Sequence, residues 1–305
     1  MQKTIERKIH VYLIGRINRD NQPLLDKIAG KLTEDIEIFM PHKHNPFDKH
    51  PWMPPHAALR DWAEILFSDI GVVVVPFGRD SAWEIGCYSG LRKTVIVYID
   101  CLKDWLSAPQ QYRNNEDWMV KINPTRYVTP DTEVADILTK DRFCMGRIIL
   151  LDGTTTLAGI IKENTLISEG NTDTRKKVLI VDDDLEFCDS LTRLVNSGER
   201  IIFAHSFEEA VLAYKLHKDS ISFIIQDETL DDRDDALKAA GRFDDLSSRV
   251  LATFFRFHSF SDQLLLMGET NGIKGRFQEF DCYFEKSRQI LKLLEKINEV
   301  ASNVR

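Results

Sequence analysis

The sequence predicts two α/β domains in series, each built on a parallel sheet. Three observations carry that expectation. Short apolar runs alternate with amphipathic segments along all 305 residues, the pattern of repeated strand–helix–strand units. Val72 to Val75 is an unbroken run of valines, as a strand covered on both faces requires. Several apolar runs stop on acidic residues, and open parallel sheets place their ligands just beyond the carboxyl ends of the strands.

One hydrophobic core serves roughly 100–200 residues, so 305 residues predict two domains, and an apolar fraction of 43% lets each bury a core. In the first half the strands are read at Ile9–Ile14, Ile36–Met40, Gly71–Pro76 and Thr94–Ile99. Between them, Leu59, Trp62, Ala63, Leu66 and Phe67 form one helical stripe within Ala57–Phe67. Residues 104–140 are less regular, with Val134–Leu138 in a helix that closes the domain. In Arg147–Ile167, Ile148–Leu151 and Leu157–Ile161 flank Asp152-Gly153, and Asp-Gly between apolar runs predicts a β-hairpin. A polar stretch from Ser168 then serves as linker. The expected division is 1–145, a hairpin and short polar linker over 146–175, and 176–305.

A net charge of -8 argues against a broad basic face, and no helix-turn-helix segment is evident, so DNA binding is not expected. No apolar run approaches the ~18 residues of a membrane span, and the polar N-terminus does not read as a secretion signal. The five cysteines, Cys87, Cys101, Cys144, Cys188 and Cys282, form no CxxC pair and no zinc spacing. Reduced thiols in a cytoplasmic protein are the expectation. His42, His44, His50 and His56 lie among five prolines with no helix-spaced pair, and are not read as metal ligands.

The acids of the second half are its most informative feature. Lys177–Val181 runs into Asp182-Asp183-Asp184, carboxylates that repel one another unless a cation sits among them. Ile221–Gln226 ends on Asp227, and Tyr283-Phe284 ends at Glu285-Lys286. Leu237, Ala240, Phe243, Leu246, Val250, Phe254 and Phe257 recur at three- and four-residue steps, which predicts a long helix with Leu264–Met267 as the fourth strand. The competing reading makes Arg249–Phe254 that strand. The segments "VLIVDDDLEF", "FIIQDETL" and "DCYFEKS" resemble the motifs of response-regulator receiver domains across 176–305. That resemblance implies a flavodoxin-like fold, with Asp227 as phosphoacceptor and Lys286 pairing with the new phosphate. It also implies Mg²⁺ held by Asp182, Asp183 and Asp227, and a histidine kinase or small phosphodonor as partner. Two departures stand out. No proline follows Asp227 at about the fourth position, and Gly268, at the end of the fourth strand, offers no switch hydroxyl.

In the first half a polar loop with Asp80, Ser81 and Glu84 follows the valine strand, and Ile85-Gly86 is read as opening a helix. "VYLIG" (Val11–Gly15), "SDIGVVVV" and "DSAWEIGCYSG" resemble the nucleoside 2-deoxyribosyltransferase superfamily, which includes nucleotide N-glycosidases. The resemblance covers residues 8–100 and implies a Rossmann-like fold. On it, Glu84 is the nucleophile, Asp69 and Asp80 are pocket acids, and Tyr12 holds the Glu84 carboxylate. The run from Asp80 to Glu84 is shorter than the family's "DxGTxxE". A carboxylate below C1′ stabilises or captures an oxocarbenium-like centre, while a second, protonated acid eases departure of the base. Beyond Gly15, Arg16 and Arg19 suit a 5′-phosphate. Ser81 and Trp83 line the substrate side, with Trp83 stacking on a base, and Trp52 and Met53 could cover it as a lid. No cofactor is needed for this chemistry, and relatives of both domains often dimerise, so a homo-oligomer is expected.

The expected function is therefore cleavage or transfer of an N-glycosidic bond in a nucleoside, nucleotide or related cofactor, regulated by the receiver-like half. Two other readings remain. One is a nucleotide-sensing signalling protein without turnover. The other is a TIR-like NAD glycohydrolase, whose catalytic Glu also follows a Ser/Trp loop.

Overall fold

The structure is a computed structural model, and it describes residues 8–16, 20–45, 55–165, 176–195, 201–227, 230, 246–259, 265–269, 280–284, 289, 291–295 and 297. Arg19, Trp52, Met53 and Lys286 lie outside the described residues, as do residues 166–175, which hold most of the linker that begins at Ser168. The chain forms two parallel-sheet units of Rossmann-like type. One comprises Met1–Met53 with Phe67–Ser168, and the other Pro54–Leu66 with Glu169–Arg305.

In the first unit the strands are β1 (Ile9–Ile14), β2 (Ile36–Phe39), β3 (Ile70–Val74), β4 (Thr94–Tyr98), β5 (Arg126–Thr129) and β6 (Arg147–Leu150). They form one sheet in the order β2-β1-β3-β4-β5-β6, parallel at every pairing. Strand order across the sheet therefore reverses at β1/β3, where such folds open a ligand crevice. Along the chain come helices α1 (Gln22–Ala29), α2 (Pro41–His44), α3 (Pro55–Phe67) and α4 (Arg79–Gly90), then α5 (Leu102–Ser107), α6 (Gln110–Arg113), α7 (Trp118–Ile122), α8 (Thr132–Lys140) and α9 (Leu157–Asn164). All of these except α3 complete the first unit. Val11 and Leu13 of β1 pack with Leu25, Ile28, Leu157 and Ile161 on one face. The alternate residues, including Tyr12, face the other side, as the two-residue period of a strand requires.

The structure corrects the hairpin. Ile148 and Ile149 lie in β6, which extends the sheet beside β5 in parallel, and Leu157–Asn164 is a helix. The Asp-Gly turn itself forms. The Asp152 carboxylate accepts the Thr154 and Thr155 N–H groups, and Gly153 takes φ +85°. The Thr156 hydroxyl then decides the next element, because it accepts the Gly159 N–H at 3.1 Å and caps a helix. Leu157, Ala158, Ile160 and Ile161 bury one face of that helix. The first unit consequently runs to Ser168 rather than closing at 145.

The second unit holds β7 (Lys177–Val181), β8 (Ile201–Ala204), β9 (Ile221–Asp227), β10 (Leu265–Glu269) and β11 (Cys282–Phe284), ordered β11-β10-β9-β7-β8 and parallel throughout. Numbered along the chain this is the 2-1-3-4-5 order of flavodoxin-like sheets. Helices α10 (Leu185–Leu194), α11 (Phe207–His217) and α12 (Leu246–His258) belong to it, and residues 291–295 are helical. Its core gathers Val178, Ile180, Leu191, Phe223, Ile225, Phe284, Leu293 and Ile297. Arg249–Phe254 lies within α12, so the strand reading of that segment fails. Leu237–Phe243 lies outside the described residues.

The larger correction concerns α3. By sequence order it is the crossover between β2 and β3, but Pro54–Leu66 belongs to the second unit. Its Arg60 and Glu64 are each 1% exposed, more buried than Leu59 and Trp62 of its apolar stripe, with His258 against Glu64 and the Phe254 and Phe257 rings against Arg60. Among the described residues no helix is long and apolar enough to cross a membrane.

Candidate active site and acidic pocket

In the first unit the site is assembled by β1, β2 and α4. The Tyr12 hydroxyl donates to Glu84 Oε1 at 2.6 Å, with Tyr12 fully buried and Glu84 8% exposed. Tyr12 is in register with Phe39 of β2 and Gly71 of β3. Its ring stacks on Phe39 at 5.4 Å and 21°, with Tyr88 tilted against it at 6.4 Å. Tyr88, one turn beyond Glu84, lies so close to β3 that a Cβ on Gly71 would meet its ring at 3.0–3.2 Å. The Tyr88 and Ser68 hydroxyls are 2.5 Å apart. The Tyr12 hydroxyl is thus aimed by packing around its ring. Neither Phe39 nor Tyr88 stands out in the sequence.

Helix α4 starts at Arg79, so Asp80, Ser81 and Glu84 lie in its first two turns rather than in a loop before a helix at Ile85. Gly78, extended at φ -91° and ψ -177°, makes the entry, and Asp80 in the first turn suits the positive end of the helix. Residues three and four apart share a helix face, which sets Ser81, buried, on the side of Glu84, with Asp80 exposed at the rim one turn above. Trp83, about 100° round the helix, is 52% exposed.

Asp69 is not brought to this pair. It precedes β3, and its carboxylate accepts the His10 N–H at 3.0 Å, at the amino end of the strands. An acid spaced before a strand reads alike whether it serves a pocket or ties two strand starts together. Gly15 follows β1 at a point where a Cβ would meet Leu25 at 2.6 Å, and Arg16 beside it is exposed. His44 accepts the Met40 N–H at 3.0 Å through Nδ1, a bond local to α2.

In the second unit Asp182, Asp183 and Asp227 converge. Their carboxylate oxygens lie within 4.8 Å of one another, with Asp182 and Asp227 buried and Asp183 exposed. Three hard oxygen donors with one open side fit a Mg²⁺ ion that keeps several waters. Asp184 does a different job, accepting the Phe187 N–H as the cap of α10. Asp182 Oδ1 accepts the Asp184 N–H at 2.8 Å, and a His205 ring nitrogen lies 2.9 Å from the Asp182 carbonyl. The Ser248 hydroxyl of α12 donates to the Asp227 carbonyl at 2.7 Å, and the Gln226 amide donates to the Ser248 carbonyl and hydroxyl at 2.7 and 2.6 Å. The first turn of α12 is therefore fastened to the acid-bearing strand end. Sequence reading misses Ser248, which only the return of the chain brings there. Across the sheet, Glu269 of β10 stands in register with Asp227, and Gly268 with Gln226.

No family model matches the chain, and no curated protein matches it. Among solved structures it is similar to a UDP-N-acetylglucosamine 2-epimerase at 9% identity and a TM-score of 0.32, over 96% of this chain and 89% of that one. A likeness that weak bears on neither fold nor chemistry.

Proposed function

We propose that the first unit cleaves or transfers the N-glycosidic bond of a nucleoside, nucleotide or related cofactor, and that the second regulates it as a receiver. The single observation that carries the reading is the buried Tyr12–Glu84 hydrogen bond at a topological switch point. In the proposed reaction the Glu84 carboxylate attacks C1′, the bond to the base nitrogen breaks, and the base leaves with a proton. Water or a second base then takes the sugar from Glu84. Tyr12 keeps one Glu84 oxygen occupied and so orients the other, Asp80 at the rim is the candidate proton donor, and Arg16 is the candidate partner of a 5′-phosphate. In the second unit an Asp227 carboxylate oxygen would attack the phosphorus of a kinase phosphohistidine or small phosphodonor, whose bond to its leaving group breaks. Asp182, Asp183 and Asp227 would hold a Mg²⁺ that supplies charge neutralisation. The dispersed cysteines, with Cys87, Cys101, Cys144 and Cys188 all present as thiols, suit a reducing cytoplasm.

The test is release of free base, monitored by chromatography, from a panel of nucleosides, nucleotides and NAD. Replacing Glu84 by Ala is expected to lower the rate by at least about 10²–10⁴-fold, the scale of one positioned catalytic group. Wild-type turnover in the Glu84→Ala protein would end the catalytic assignment. The shortened Asp80–Glu84 run, absorbed into α4, favours one second reading: nucleotide binding without turnover. Calorimetric binding by wild type with no base released from any member of the panel would select it.

A further inference from the structure

Helix α3 joins two sets of contacts that neither sequence order nor the proposed reaction explains. Within the second unit, Arg60 Nη1 pairs with Glu64 Oε1 at 2.6 Å, and His258 Nε2 lies 2.9 and 3.0 Å from the two Glu64 oxygens. The Arg60 guanidinium sits 5.2 and 5.1 Å from the Phe254 and Phe257 ring centres, and Trp62 donates to Glu208 at 3.0 Å. Arg60, Glu64 and His258 are at most 2% exposed. Removing one partner from such a group leaves a charge buried and uncompensated, so α3 is held to follow α12. Helix α12 in turn is fastened at Ser248 to Gln226 and Asp227.

Immediately after α3, within the first unit, the chain is bolted to both elements of the Tyr12–Glu84 pair. The Ser68 hydroxyl meets Tyr88, four residues beyond Glu84 on α4, and the Asp69 carboxylate holds the His10 N–H, two residues before Tyr12 on β1. Lys93 adds a bond to the Ser68 carbonyl at 2.8 Å, and the Phe67 and His10 rings meet edge-on at 4.6 Å.

We propose that α3 is the coupling element of the molecule: occupancy of the Asp182–Asp183–Asp227 pocket shifts α12, α3 follows, and Ser68 and Asp69 act as positioning residues that pass the shift to Tyr12 and Glu84. Helix shifts of about 1–2 Å are an ordinary mode of switching. Only two residues separate α3 from β3, too few to absorb such a displacement as slack. This coupling rests on the receiver reading of the second unit, and the experiment separates the two.

Hydrogen–deuterium exchange of the full chain is measured by mass spectrometry with and without Mg²⁺ plus beryllium fluoride, which coordinates a carboxylate oxygen and occupies the phosphoryl position without phosphoryl transfer. In wild type, peptides bordering Asp182 and Asp227 are expected to gain protection. Peptides covering His10–Gly15, Ser68–Asp69 and Ser81–Tyr88 are expected to change exchange rate by about fivefold or more, the low end of ordinary coupling. Glu64→Gln is expected to keep the response at the pocket and lose the remote one. A merely structural Glu64 would alter baseline exchange and leave the ligand-dependent difference intact. Should Glu64→Gln fail to fold, His258→Phe, which removes the α12 ring nitrogen from Glu64 and leaves the Arg60–Glu64 pair in place, carries the same expectation. A pocket response with no remote response, or a variant that transmits like wild type, overturns the coupling alone. Silence at the pocket in wild type overturns the receiver reading and the coupling with it.

Discussion

Tyr12 and Glu84 lie 72 residues apart in sequence and 2.6 Å apart in space, and nothing in local spacing requires that meeting. Their pairing is legible because each sits in a motif whose resemblance assigns both to one pocket. Asp69 shows the limit of that kind of reading. Its motif is recognisable, but its carboxylate turns to the His10 amide at the other end of the strands. Phe39 and Tyr88, which hold the Tyr12 ring, carry no chemical signature and become visible only through packing. At this scale, Tyr12→Phe should leave the ring stack on Phe39 in place and remove one hydrogen bond to a charged group, worth about 1.5–3 kcal/mol. If Glu84 needs that bond to be oriented, kcat/KM for base release falls by roughly 10–100-fold. An unchanged kcat/KM would reduce Tyr12 to a packing residue.

Strand positions are legible almost residue by residue where apolar runs are bounded by polar ones, as at β1, β4 and β7. Helix starts and weakly apolar segments are not. A helix read from Ile85 begins six residues after the true start of α4 at Arg79, since Asp80 to Glu84 reads as polar loop until Gly78 is seen to make the turn. The pair β6–α9 is misread because a strand, an Asp-Gly turn and four apolar residues fit a hairpin as well as they fit a capped helix. Residues 104–140 resist reading for another reason: their short helices are held by a buried polar cluster. Lys121, fully buried on α7, donates to Asp141 at 2.6 Å and to Asn115 at 2.5 Å, and lies 5.4 and 5.1 Å from the Trp105 and Tyr112 ring centres. Asp141→Ala strands that ammonium and is expected to destabilise the first unit by about 3–5 kcal/mol. Lys121→Met, which removes the charge itself, should cost less. Urea denaturation monitored by tryptophan fluorescence, with Trp105 against the ammonium, ranks the two; the reverse order would mean that the cluster is not what holds these helices.

At the scale of the whole chain, domain order in the sequence and membership of the folded units diverge. A C-terminal fragment cut at residue 176, where the sequence places the boundary, would lack α3 and leave His258, Phe254 and Phe257 without Arg60 and Glu64. Such a fragment is expected to unfold at a lower temperature than the second unit in the full chain, and a synthetic 54–67 peptide is expected to raise its melting temperature. Equal melting temperatures with and without the peptide would show that α3 adds nothing to that core. The sequence alone determined that there are two parallel α/β sheets, which strand ends carry acids, and that Glu84 and Asp227 mark the two candidate centres. Periodicity and strand-end acids are local patterns, and local patterns survive in a linear string. Only the tertiary structure decided that Leu157–Asn164 is a helix, that the Asp69 carboxylate holds the His10 amide, and that α3 lies with the second unit. Each of these turns on which distant surface satisfies a buried face, charge or amide, and that partner is chosen by the folded chain as a whole.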